Sequence, residues 1–133
     1  LMAVYFRDSL RKEYNMTNTV YIVTRPIENK FGWTPDLTDA ARYGIFKIIF
    51  EPEDKPQFNP TKSIETARKV MQGFTPDDFL LWPGGGDPIA VMIACMVAAE
   101  ESEEVNILRW ERNFDEIRDR RKGWYLPVKL NMA

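Results

Sequence analysis

The chain has 133 residues, 44% apolar and 13% aromatic, with a net charge of −2, one cysteine and no histidine. These values describe one globular domain with enough apolar material for a core. They exclude a strong global attraction for nucleic acid, an internal disulfide framework, and every nucleophile system, metal site or pH switch that needs histidine.

Leu1 to Phe6 is a short apolar run followed by Arg7, Asp8, Arg11, Lys12 and Glu13, which lacks the pattern of a secretory signal. Met16 is an alternative start, so residues 1–15 are read as an N-terminal extension and residues 16–133 as a single α/β domain. Thr19 to Thr24 is β-branched and aromatic and ends at Arg25-Pro26, which predicts a first strand. Asn29 to Pro35 reads as a loop, and Asp36 to Tyr43 as a short helix capped by Thr34 or Asp36 and ended by Gly44. Ile45 to Phe50 predicts a second strand, and the charged, proline-bearing stretch Glu51 to Asn59 a surface loop.

Asn59-Pro60 has the order of an N-cap and a first-turn proline, with Ile64, Ala67, Arg68 and Met71 at helical spacings; the helix is expected to run to about Gln72 before Gly73. Thr75 to Asp78 is a turn, and Phe79 to Trp82 a short apolar strand buried on both faces. Pro83-Gly84-Gly85-Gly86-Asp87-Pro88 leads into an apolar helix ending near Glu100. Val105 to Trp110 is a fourth strand, Glu111 to Lys122 a charged turn, and Trp124 to Leu130 a last strand that Pro127 places at a sheet edge. The expected fold is a small three-layer Rossmann-like α/β sandwich with a mixed sheet of about five strands and a C-terminal antiparallel hairpin. The most apolar run, Ile89 to Ala99, has about half the ~20 residues of a membrane span. With its single thiol, the chain suits a reducing compartment, the cytoplasm.

The glycine loop carries the most information. Three glycines after a buried strand permit positive φ and close approach, and free amides at the next helix N-terminus can hold a phosphate or carboxylate. The carboxyl ends of parallel strands are where open α/β sheets bind ligands. Gly84, Gly85, Gly86 and Asp87, with Arg25 from the end of the first strand, therefore form a candidate site for a nucleotide or other anionic small molecule. Against it, the loop has neither the GxGxxG pattern nor the Lys-Ser/Thr of a P-loop, and Asp87 already stands where an anion would sit. A tight structural turn explains the same residues. The loop also looks a little like the Pro-Gly-Gly loop of the SLOG and lysine-decarboxylase-like group, but Asp87-Pro88 replaces the Gly-Thr of that pattern and its downstream glutamate is missing.

Ile89 to Ala99 is apolar on every side, which implies burial between layers or at a subunit interface, with Cys95 and the methionines as packing. Glu100, Glu101, Glu103 and Glu104 read as a solvated helix exit. Arg109, Arg118, Arg120, Arg121 and neighbouring bases alternate with Trp110 and Trp124, a mixture that suits a partner-binding surface. Glu111, Asp115, Glu116 and Asp119 cancel much of that charge, so a protein partner is favoured over nucleic acid. Asp36 with Asp39, and Asp77 with Asp78, are accounted for by caps and turns. No catalytic residue, metal ligand or cofactor emerges.

Tyr21 to Asp36, Leu81 to Pro88, Val105 to Trp110 and Gly123 to Asn131 resemble a group of small bacteriophage proteins. The resemblance covers most of the chain after Met16 and implies a phage gene product working in the cytoplasm of an infected bacterium. It brings no activity or site residues. The leading expectation is an accessory or host-directed protein that binds a macromolecular partner, with homo-oligomers open. Its alternative is a small-molecule binder at the glycine loop.

Overall fold

The computed structural model describes residues 18–28, 30–32, 34–83, 86–112 and 123–132. The expected extension 1–15, loop residues Gly84 and Gly85, and Arg118, Arg120 and Arg121 lie outside them. In chain order the elements are β1 (Thr19–Thr24), a 3₁₀ helix (Thr38–Tyr43), β2 (Ile45–Phe50), α1 (Pro60–Val70), β3 (Phe79–Leu81), α2 (Pro88–Glu101), β4 (Glu104–Arg112) and β5 (Gly123–Asn131).

The strands form one mixed sheet in the order β2-β1-β3-β4-β5. β1 pairs in parallel with β2 and β3, and β3 with β4; β5 closes an antiparallel hairpin on β4 and forms the edge that Pro127 predicts. The chain steps from β1 to β2 on one side, then to β3 on the other. This reversal places the connecting elements on opposite faces. One face carries α1 and α2 over Tyr21, Val23, Phe50, Leu80 and Val105. The other carries the 3₁₀ helix over Val20, Ile22, Leu81, Leu108 and Tyr125. β1 and β3 are buried on both faces, as their unbroken apolar runs require. Each large side chain so buried contributes about 1.5–3 kcal/mol.

α2 packs through Ala90, Ile93, Ala94, Val97 and Ala98, positions three and four apart whose small members let the helix approach the strands. Glycine matters most at Gly44. A Cβ there would lie 2.5 Å from the Asn18 carbonyl oxygen, which accepts the first β2 hydrogen bond, from Ile45 N–H at 3.0 Å.

Several local expectations change. The short helix is 3₁₀ and starts at Thr38, because the Asp36 carboxylate takes the Thr38 N–H at 2.9 Å in a turn before it. Asn59 makes no side-chain cap on α1; its amide turns back to the Asp54 and Lys55 carbonyls at 3.3 and 3.5 Å. α1 stops at Val70, because Met71 and the positive φ of Gly73 close a turn that returns Phe74 N–H to Met71. Trp82 leaves the sheet beyond Leu81 and is partly exposed. Among the described residues no helix is long and apolar enough to cross a membrane.

Candidate functional site

The reversal between β1 and β3 opens a crevice at their carboxyl ends, the usual ligand position in doubly wound sheets. A cleft of about 540 Å³ lies there, within the range of small-molecule pockets. Arg25, Gly86 and Asp87 all line it, so the structure brings together the described members of the candidate ligand set. Glu51, Lys55 and Gln57 join them from the β2–α1 loop, and only knowledge of the strand order could have indicated that.

The polar groups of this cleft are largely paired with one another. Asp87 caps α2 by accepting Ile89 N–H at 2.8 Å, and its other oxygen accepts Gln57 N–H at 2.7 Å. The carboxylate thus holds the helix start and ties it to the facing loop. Arg25 grips Glu51 through two hydrogen bonds, Nε at 2.6 Å and Nη2 at 2.9 Å. That pairing pushes the guanidinium up and holds the Glu51 carboxyl below its ordinary range. Pro26, Pro35, Pro52, Pro56 and Pro83 supply much of the wall, and none can donate a backbone N–H. Lys55 sits at the rim with φ 43°, an uncommon conformation for a side-chain-bearing residue. Among the described residues the helix N-terminus, where a phosphate loop offers free amides, already holds an anion, the Asp87 carboxylate.

The described residues of the expected partner surface divide between two faces. β4 and β5 pair Trp110 with Tyr125 and Glu111 with Trp124, and directly opposed residues share a face. Trp110 therefore lies on the 3₁₀ face, edge-on to Tyr125 with ring centres 5.0 Å apart. Trp124 lies on the helical face with Arg109, whose guanidinium is paired with Glu111.

On the 3₁₀ face, β5 is latched. Tyr125 N–H donates to Asp39 at 2.6 Å, and its carbonyl accepts from Arg42 Nη2 at 3.0 Å and from the Tyr43 hydroxyl at 2.8 Å. Asp39 also accepts from Arg42 Nε at 3.1 Å, and the Arg42 guanidinium lies 4.4 Å from the Tyr43 ring centre. Burial, reinforced by Asp36 and Asp39, pushes the Tyr125 phenol up to about 12. The Asp36–Asp39 region is thus a structural anchor, and its partner on β5 is remote in sequence. Asp78 is another. It is buried and accepts from Thr19 N–H, Thr75 N–H and the Thr75 hydroxyl, at the end of the sheet opposite the cleft.

On the helical face the same hairpin is open. Alternation from Val105 and Ile107, which pack on the helical-face core, places Leu126, Val128 and Leu130 beside them. α2 reaches β4 and stops short of covering β5; Trp124, Val128 and Leu130 are each more than a third exposed. Along α2 itself Met92 is 65% exposed and Met96 41%. The reading of these methionines as core packing is corrected: α2 buries one face only, since no second layer lies over its outer side among the described residues. Cys95, between them, is half-buried, and burial pushes its thiol up, away from the reactive thiolate. The open apolar surface beside α2 is therefore Trp124, Val128 and Leu130 of β5, with Val91 and Cys95 on the flank of α2 away from α1, whereas Met92 and Met96 share the stripe of Glu100, which meets Arg68 of α1.

By fold this is a small doubly wound α/β protein, with a switch-point cleft in which Arg25 is paired with Glu51 and Asp87 with backbone N–H groups, and one uncovered apolar sheet face. The chain belongs to the phage Pam3 gp32-like protein family, whose model matches residues 18–132, and is thereby a small bacteriophage protein. No curated protein and no solved structure matches it.

Proposed function

We propose that this phage protein is an accessory factor that holds a protein partner on the uncovered apolar face of β5 formed by Trp124, Val128 and Leu130. The observation behind the reading is that Trp124, Val128 and Leu130 are exposed together on one face of one strand, whereas Ile27, Phe31 and Phe58 stand exposed in loops and Ile45 and Phe46 on β2. Large apolar patches on soluble domains mark interaction surfaces. The binding surface is centred beside α2 and includes Trp124 and Arg109 from the hairpin, while Trp110 stands on the other face. Affinity capture from phage-infected cells tests this. Wild type and Arg25→Ala retain the same partner, and Val128→Glu/Leu130→Glu releases it; equal retention by all three contradicts the proposal.

A second reading is favoured by the cleft at the β1–β3 reversal. With Arg25 and Asp87 already engaged and proline walls lacking N–H groups, it suits an uncharged, apolar-bodied small molecule better than a phosphate. A thermal-shift panel separates the two classes, because a ligand at ~100 times its Kd adds ~2.7 kcal/mol. Stabilisation by nucleotides that Arg25→Ala removes would restore the anionic ligand; stabilisation by neutral compounds alone supports an uncharged occupant of the cleft.

A further inference from the structure

We infer that two copies of the chain pair through β2, edge to edge and antiparallel, about a twofold axis at Phe46. The inference stands apart from the partner face on β5, which lies at the other end of the sheet.

The two edges of the sheet are finished differently. β5 is blocked as a template: Tyr125 has its N–H and carbonyl taken by Asp39, Arg42 and Tyr43, and Pro127, two residues on and facing the same way, has no N–H. β2 has no such closure among the described residues. Ile45 donates its N–H to the Asn18 carbonyl at 3.0 Å, so Ile45 and Lys47 turn their backbone groups toward β1. Phe46 and Ile48 alternate with them and turn theirs outward, as does Gly44, whose backbone is extended at φ 162° and ψ −172°. No hydrogen bond reaches these outward groups among the described residues. A row of this kind is a template for another strand, and Ile45 and Phe46 beside it are exposed.

A second copy fits this edge because the edge is complementary to itself in one register. With the axis at Phe46, that residue exchanges both backbone bonds with its counterpart, and Gly44 of each copy does the same with Ile48 of the other. Every outward group is then satisfied. Phe46 and Ile48 share the 3₁₀ face with Val20 and Ile22, so the two Phe46 rings meet across the axis. On the helical face, which Ile45 and Lys47 share with Tyr21, Ile45 lies opposite Lys47 of the second copy. The methylene stem of that lysine covers Ile45 while its ammonium stays in water.

The neighbouring registers fail. An axis at Lys47 sets two ammonium groups directly opposite each other. An axis at Ile48 calls on Phe50, but the ladder skips Val23 and Ile49 there, and the Phe50 carbonyl turns inward to accept Arg25 N–H at 3.0 Å. An axis at Ile45 opposes Ile48 to Arg42, which belongs to the 3₁₀ helix. Twofold symmetry also uses each contact twice, which favours a second copy over a foreign strand on so short an edge. The resulting dimer carries one continuous sheet with a β5 face at each end.

Sedimentation of the full chain from about 1 μM to about 1 mM, with hydrogen exchange at Phe46 and Ile48, tests this. Wild type is expected to pass from monomer to dimer, and the two amides to become protected as it does. Phe46→Pro removes one outward N–H and spares the ladder to β1, and Phe46→Asp sets two carboxylates opposite each other. Each should raise the dimer Kd roughly tenfold or more, with circular dichroism unchanged. In a Cys95→Ala background, Phe46→Cys should crosslink the dimer under an added oxidant and Lys47→Cys should not. A monomer throughout overturns the inference, whether the two amides exchange freely or are covered by another segment of the same chain. Crosslinking through Lys47→Cys instead of Phe46→Cys overturns the register. A dimer that ignores both Phe46 changes and is dissociated by Val128→Glu/Leu130→Glu overturns it too, and assigns the β5 face to a second copy in place of a foreign partner.

Discussion

Trp124 and Tyr125 are neighbours on one strand and meet opposite fates. Tyr125 is 3% exposed, with its backbone held by three side chains of the 3₁₀ helix and its ring against Trp110. Trp124 is 38% exposed, on a face that α2 leaves bare. The alternation of a β-strand alone separates them. The contrast teaches where this fold invests its specificity. A six-residue 3₁₀ helix cannot cover a sheet face by bulk, so it does so with directed hydrogen bonds, while the helical face, which has bulk in α1 and α2, is left unfinished at its edge. The cleft resembles the latched side: Arg25 meets Glu51, and Asp87 meets the Ile89 and Gln57 amides, before either can meet a ligand.

The largest expected effect comes from breaking the latched side. Tyr125→Ala removes a buried aromatic and should cost about 3–5 kcal/mol in urea denaturation, whereas Trp124→Ala, one residue away, should cost about 1 kcal/mol or less. Equal losses would erase the distinction between the two faces. Asp39→Ala strands the Tyr125 N–H in a part-buried setting and should cost about 1–3 kcal/mol by the same assay. The effect should be absent in Asp77→Ala, whose carboxylate makes no such bond among the described residues.

Alkaline titration sharpens the same point. The Tyr125 phenol titrates near 12 when folded, against an ordinary 10.0. A folded value raised above the unfolded one favours the neutral phenol, so its contribution is complete below about pH 10 and is lost as pH rises toward 12. Tyr125→Phe keeps the ring and removes the titration, so its stability should fall less steeply than wild type across that interval. Tyr21 and Tyr43, also raised by burial, keep the stability of the variant falling as pH rises. Identical slopes would show that the phenol is not held neutral by the fold.

The cleft yields a smaller effect. Asp87→Ala removes the α2 cap and the bond to Gln57, and should cost about 1 kcal/mol in thermal denaturation, with Asp87→Asn close to wild type. A stabilising Asp87→Ala would mean that its charge is held there for a ligand rather than for the helix. The smallest change in stability, about 1 kcal/mol or less, is expected of Val128→Glu/Leu130→Glu on the open face, even as partner capture is lost.

Much of this fold is legible in the sequence because its signals are local. The β-branched run before Arg25-Pro26 marks β1, Gly44 ends the short helix before β2, and Asp87-Pro88 announces the first turn of α2. Pro127 reports the edge on which β5 lies. Asn59 misleads because its local order fits an N-cap, whereas its amide is claimed by the turn before it. The rest depends on neighbours remote in sequence. Nothing near Asp39 reveals that Tyr125 receives it, and only the pairing of Glu111 with Trp124 shows that the two tryptophans face opposite ways. The exposure of Met92 is equally hidden, since an apolar helix reads as buried until it is known how many of its sides the sheet and α1 can reach.

The most direct test is amide NMR of the labelled chain titrated with the partner recovered by affinity capture. The account predicts that the Trp124, Val128 and Leu130 signals shift together and saturably, while those of Arg25, Gln57 and Asp87 at the cleft stay in place. Unmoved β5 signals beside shifts at Arg25, Gln57 and Asp87 would contradict it, and would return the binding site to the cleft.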